Sequence, residues 1–175
     1  MLRTKYLSML VLLLGVGVMV VGAVFIGLAI QKNNFITKSL RDQQITLGLT
    51  KDQIAKGMLV DNAAAAQVAS DTLATHLKSI SPTYGALMTA SGGKYDPTNP
   101  TDLTYTQGLN MENSMNIAIL GFGVIQETIG VGIALIVLGL LGTAAGLTLM
   151  RLAQKVTKAE KSPVMAGSAV AYQAE

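Results

Sequence analysis

The sequence contains no cysteine, which removes disulfides, thiolate nucleophiles and thiolate metal sites and is compatible with either side of a membrane. Histidine occurs once, as His76. A zinc or iron centre needs further nitrogen, sulfur or clustered carboxylate ligands, and only Asp71 lies near it at helical spacing, so His76 reads as a surface or packing residue. Charge is scarce as well, at 13% of residues against roughly a quarter in an average soluble domain. The net charge of +3 comes from dispersed basic residues, several beside apolar runs, which is no nucleic-acid footprint. Nucleophile elbow, P-loop and dinucleotide fingerprint are all missing, and Gly121-Phe122-Gly123 lies in an apolar helical run rather than after a strand. The oxygen-rich segment from Asp96 to Asp102 has Pro97 and Pro100 where a calcium loop has ligands and glycine, and no glutamate closes it. No catalytic, metal or cofactor-binding set is therefore expected, and the chain reads as non-enzymatic.

What the sequence has instead is two long uncharged runs, Tyr6 to Ile30 and Thr128 to Met150. At about 1.5 Å per residue the second makes a helix of roughly 34 Å, enough to cross a hydrocarbon core of about 30 Å. The first exceeds a signal-peptide h-region and ends in Gly27-Leu28-Ala29-Ile30-Gln31, without a clean small-x-small cleavage pattern, so it reads as an uncleaved anchor. The expected fold is an all-α membrane protein: an antiparallel pair of transmembrane helices with a small helical extracytoplasmic domain between them. Residues 1–5 would be a cytoplasmic N-terminus, 6–30 and 128–150 the spans, 31–127 the outer domain and 151–175 a basic cytoplasmic tail, disordered after about 162. Arg3, Lys5, Arg151, Lys155, Lys158 and Lys161 outnumber Lys32, Lys38 and Arg41, which puts both termini in the cytoplasm and the domain on the far side of the membrane.

Small residues recur every seven positions in both runs: Ser8, Gly15, Gly22 and Ala29 in the first, and Gly132, Gly139, Gly146 and Ala153 in the second. Gly142 adds a small-xxx-small pair with Gly146. Lipid tails are as apolar as leucine, so membrane helices associate largely through close backbone approach at such residues. An antiparallel register would set Ser8 against Ala153, Gly15 against Gly146, Gly22 against Gly139 and Ala29 against Gly132. Gln126 and Glu127, just outside the second run, form a possible interfacial polar site, where a charge costs little.

Between the runs, Gln31 to Leu49 is mixed and without clear period. Thr50-Lys51-Asp52-Gln53 matches a capping box, with Gly57 to end the short helix. Asp61 or Asn62 can cap a longer helix from Ala63 to Ile80, with a stripe of Leu59, Ala63, Ala66, Ser70, Leu73, Leu77 and Ile80. Pro82 follows it. Residues 89–107 read as a loop from their Gly, Pro, Asp and Asn content. From Leu109 the helical pattern is unbroken to Arg151, too long for the bilayer alone, so the part before Thr128 should pack on the Ala63 to Ile80 helix through Met115, Ile119, Phe122 and Ile125 or their neighbours.

Several of these strings, Leu40 with Gln44-Ile45-Thr46, Gly57 with Val60-Asp61, the Ala-rich helix with His76, Thr83-Tyr84 with Leu87, and the Gly-patterned second run, resemble a family of two-span actinobacterial membrane proteins. The resemblance runs from about Leu40 to Ala153 and implies the same topology in the plasma membrane of a bacterium. Some members carry an aromatic ring-opening dioxygenase label, but extradiol cleavage needs iron held typically by two histidines and a carboxylate, and His76 stands alone. The expected function is that of an accessory subunit: a non-enzymatic membrane protein whose outer domain binds a partner or stabilises a larger assembly. The alternatives are a two-span ligand sensor signalling through a separate partner, or a small oligomeric pore with Gln126 and Glu127 at its mouth. Partners would be membrane lipid and a protein or further copies of the chain, with no nucleic acid.

Overall fold

The computed structural model describes residues 2–161, and among them every regular element is an α-helix. These are α1 (Leu2–Asp42), α2 (Lys51–Ala55), α3 (Ala63–Ile80), α4 (Tyr84–Ala90) and α5 (Pro100–Lys161). The tail expected to be disordered after about 162 lies outside the described residues. At about 1.5 Å per residue α1 is roughly 60 Å long and α5 roughly 90 Å. Both are long and apolar enough to cross a membrane, and only 11% of the apolar window of each is buried, whereas the core helix of a soluble domain is mostly covered. Leu13, Leu14, Leu138 and Leu141 are each more than half exposed, so the apolar character of these helices is not consumed by packing within the chain.

The contacts divide the chain into two compact units, residues 24–131 and the remainder. The larger unit is a helical domain built by α2, α3 and α4 on parts of α1 and α5. Helix α1 extends past the expected limit at Ile30, through Gln31 to Asp42, because neither glycine nor proline interrupts it. It stops where Gln44 turns to φ 51 and donates its N–H to the Arg41 carbonyl at 2.9 Å. Helix α2 starts on the expected capping box, with Gln53 N–H donating to Thr50 Oγ1 and Thr50 N–H to Gln53 Oε1. Gly57, at φ +72, ends it in the left-handed region that only glycine adopts freely. Asn62, rather than Asp61, caps α3, its Oδ1 accepting from Ala65 N–H at 3.0 Å.

The buried face of α3 is Ala66, Ala69, Ser70, Leu73 and Leu77. It differs from the expected stripe at its ends: Ala63 and Leu59 are half-buried and Ile80 is exposed. Ala66 and Ala69 form one core with Leu40, Val60, Met115 and Ala118, on which Ile119 and Phe122 also pack. Ile125 is buried but stands outside that cluster. Small α3 residues allow the helix to lie close to α5, and that closeness brings Ser70 Oγ to donate to Asn116 Oδ1 at 2.8 Å. A second cluster joins Leu77, Leu87 and Tyr105, with the Tyr84 and Tyr105 rings 6.4 Å apart.

The loop expected over 89–107 is confined to 91–99, because α4 holds Tyr84–Ala90 and α5 begins at Pro100. Thr83 caps α4 through Ala86 N–H. Asn99 caps α5, its Oδ1 accepting from Thr101 N–H while its carbonyl takes the Leu103 N–H, and Pro100 has the preset φ of a first helical residue.

Met115 is only 2% exposed at the centre of the first cluster. Met115→Ala is expected to destabilise the larger unit by about 2 to 5 kcal/mol, read as a lowered denaturation midpoint in detergent. Ile117→Ala, at a position 69% exposed, should shift that midpoint by no more than about 0.5 kcal/mol.

Candidate functional site

The small-residue stripes are the most constrained surface of the two apolar helices. In the smaller unit Ser8, Gly15, Gly22, Gly132, Gly139 and Gly146 are buried, and Gly142 and Ala153 are half-buried. Ala29 is buried in the larger unit. A Cβ placed on Gly22 would lie 2.6 Å from the Gly132 carbonyl oxygen, one on Gly139 2.6 Å from the Gly15 carbonyl oxygen, and one on Gly146 2.8 Å from Leu12 Cα. Neighbouring atoms at these distances are backbone, which cannot rotate aside.

The register differs from the expected facing of Gly15 with Gly146 and Gly22 with Gly139. Gly15 lies against Gly139 and Thr143, and Gly22 against Gly132 and Ile136. The physical reason is side-chain volume between the glycines. The observed stagger keeps glycine near glycine, Gly15 with Gly139 and Gly22 with Gly132, and also sets Leu12 beside Gly146 and Met19 beside Gly139, each filling space that a glycine vacates. Thr143 Oγ1 donates to the Gly139 carbonyl at 2.8 Å, so the polar group in the seam is satisfied within its own helix.

Gln126 and Glu127 are both exposed on α5, and neither side chain is hydrogen-bonded to another described residue. His76 is exposed on α3, with its backbone carbonyl accepting from Ser79 Oγ. Among the described residues no group of three or more His, Cys, Asp or Glu is placed to hold a metal ion.

The Asp96 to Asp102 segment does something the sequence reasoning missed. Asp102 is fully buried, in the first turn of α5, where a carboxylate meets the positive end of the helix dipole. Its Oδ1 accepts from Ser91 Oγ at 2.6 Å and its Oδ2 from Asp96 N–H at 3.1 Å. Asp96 is exposed and accepts from both the hydroxyl and the N–H of Thr98. Those bonds, the hydroxyl foremost, hold the Asp96 carboxyl below its usual pKa. The oxygens are spent on closing the loop. A signal was present in Asn99-Pro100-Thr101-Asp102, an N-cap, a first-turn proline and a first-turn acid in order.

The one ion pair among the described residues joins Arg41 Nε to Asp61 Oδ2 at 2.7 Å, tying the end of α1 to the segment that leads into α3. The Arg41 hydrogen bond, helped by one from Asn62, lowers the Asp61 pKa against the opposing effect of burial. Gly57, Met58 and Leu59 line a hollow beside the pair.

No protein-family model matches the chain, and neither a curated protein nor a solved structure shows significant similarity to it.

Two measurements follow from this geometry. Gly22→Leu and Gly139→Leu each drive a side chain into backbone and are expected to cost about 1 to 3 kcal/mol of stability in detergent. Gly17→Leu, where a Cβ meets nothing within 4 Å, should be near neutral; equal losses at all three positions would mean that helix propensity rather than the seam governs stability.

A folded-state pKa below the ordinary value means that Asp61 stabilises the fold above about 3.8 and loses that contribution as the pH falls below it. Arg41 is well exposed, so the pair contributes only about 0.5 kcal/mol. Asp61→Asn is expected to lower the denaturation midpoint by that small amount at pH 6, with the difference from the parent closing as the pH drops below 3.8.

Proposed function

We propose that this chain is a non-enzymatic integral protein of a bacterial plasma membrane, with α1 and α5 as an antiparallel pair of spans and both termini cytoplasmic. Its larger helical unit stands outside and binds a protein partner or stabilises a larger membrane assembly. The observation that carries the second statement is the apolar surface beyond the uncharged runs. On α5, Ile117 and Leu120 are each 69% exposed and Val124 is 62% exposed, and their three- and four-residue spacing puts them on one helical face. On α1, Phe35 is 67% exposed three residues after Lys32. In this topology these side chains stand above the hydrocarbon. Exposed apolar side chains clustered on one face mark interaction surfaces more often than isolated ones do.

The orientation is supported by the excess of Arg3, Lys5, Arg151, Lys155, Lys158 and Lys161 over Lys32, Lys38 and Arg41, the asymmetry that retains basic segments on the cytoplasmic side. The spans are supported by the exposure of the leucines and valines on both long helices, which in water would leave a very large apolar area uncovered.

The chain has no native thiol, so an introduced cysteine reports its own location. Lys94→Cys, on the exposed loop, is expected to react with a membrane-impermeant maleimide in intact cells, and Lys155→Cys only after lysis. The reverse pattern would invert the topology. A photoreactive residue at Leu120 is expected to cross-link to a discrete protein in native membranes, and one at the exposed Gln67 on α3 is not; adducts from neither position would remove the partner reading and leave the topology standing.

A further inference from the structure

Within the larger unit, α1 and α5 leave an open groove of about 330 Å3, lined by Leu28, Ala29 and Lys32 from α1 and by Gly121, Val124 and Thr128 from α5. Its floor is low because Ala29 contributes one methyl and Gly121 no side chain; a Cβ on Gly121 would lie 2.7 Å from the end of Ile36. Beside the groove runs a ridge. Ile117, Leu120 and Val124 are exposed on one face of α5, and Glu127, three residues on and also exposed, continues that face. Val124 is the edge that groove and ridge share. A hollow and a projecting apolar edge thus lie side by side on the same two helices, as a self-complementary surface requires.

The charges follow the same symmetry. Lys32 and Thr128 line one groove from its two sides, and Glu127 is one residue from Thr128, about 1.5 Å along α5 and 100° round it. The ammonium and the carboxylate therefore stand at similar heights on different flanks. Both residues are exposed, and neither side chain has an ion-pair or hydrogen-bond partner among the described residues. In a two-fold contact every pairing occurs twice, residue i with j of the other copy and j with i. One cation and one carboxylate at one height satisfy each other reciprocally across such an axis, with no charge left over. A different protein would have to bring an anion for Lys32, a cation for Glu127 and a ridge for the groove, all of which this chain already carries.

We infer that this face pairs two copies of the chain, the Ile117, Leu120 and Val124 ridge of each seated in the groove of the other, with Lys32 of each copy paired to Glu127 of the other. The inference deepens the partner reading above and rests on it, naming a second copy as the partner. In the two-span topology both copies have the same orientation, so the two-fold axis lies along the membrane normal and the facing α5 helices run parallel. That direction keeps Glu127 of one copy level with Lys32 of the other. Charge complementarity of this kind fixes the register of an interface and rejects unlike partners more than it adds affinity; the apolar ridge in its groove supplies the contact area.

The test co-expresses full-length chains carrying two different affinity tags, extracts them in mild detergent, captures one tag and measures the other. Parent copies are expected to capture one another. Lys32→Glu sets two carboxylates together at each site of its own dimer, and Glu127→Lys two ammonium groups, so each variant should capture its own kind about tenfold less well than the parent does. Co-expressed with each other, the two variants restore an opposite pair at both sites, and capture should return to near the parent level. Mixing would not restore an ion pair made within one chain, nor rescue a variant that failed to fold. Lys38→Glu, at an exposed lysine outside the lining, should pair as the parent does. A parent that does not capture itself, single variants that pair as well as the parent, or a mixture that recovers nothing overturns the proposal. A monomeric parent whose Leu120 position still cross-links to a different protein rejects the second copy and keeps the partner reading, whereas a chain recovered from cells without detergent rejects the membrane topology and this dimer with it.

Discussion

The closest approach of two backbones sets the terms for the smaller unit. At Gly15, Gly22, Gly139 and Gly146 the neighbouring helix lies so near that even a methyl group has no space. On the two-span reading proposed above, contact between helices gains nothing from removing apolar surface from water, and dispersion across a short gap has to supply the cohesion. That requirement explains why the glycines, poor helix formers in water, recur on one face and why the bulky residues point elsewhere. Around the glycine contacts of Gly15 with Gly139 and Gly22 with Gly132, Met19, Leu12, Ile136 and Thr143 fill the seam.

The larger unit solves a different problem with the same two helices. Its apolar core is modest, with alanines from α3 set against Met115 and Ala118 of α5, so a handful of polar contacts fix what the core leaves loose. Ser70 with Asn116 sets α3 against α5, Arg41 with Asp61 anchors the end of α1, and the Asp102 carboxylate gathers the Ser91 hydroxyl and the Asp96 amide. Each links segments distant along the chain or across a loop.

Local signals in the sequence proved legible where one residue type answers one backbone need. The capping box at Thr50 and Gln53, the glycine at 57 and the cap at Asn62 all belong to that class, as does the seven-residue spacing of the small residues. The register between the stripes was not legible, because spacing within each helix is unchanged when one slides past the other; only the sizes of the intervening side chains choose among the alternatives. The start of α5 was obscured for another reason. Residues that favour turns also favour helix caps, so Asn99, Pro100 and Asp102 looked like loop until Asp102 was seen buried. The Gln31 to Asp42 stretch lacked a clear apolar period because it packs along a narrow line, with Ile36 and Leu40 the main contributors.

Gly15 and the Gly139 it packs against are separated by the whole of the larger unit. With synthesis at about 5 to 20 residues per second, the roughly 120 residues between them take about 6 to 24 seconds to emerge. Throughout that interval the small-residue face of α1 is without the helix that covers it, and Leu40 waits for Met115 and Ala118. Both units wait on α5, but on successive parts of it: residues 100–131 complete the larger unit, and the smaller waits for those from 132 onward. A ribosome that has delivered α5 only to residue 131 leaves the larger unit with its packing partner and the small-residue face of α1 still bare.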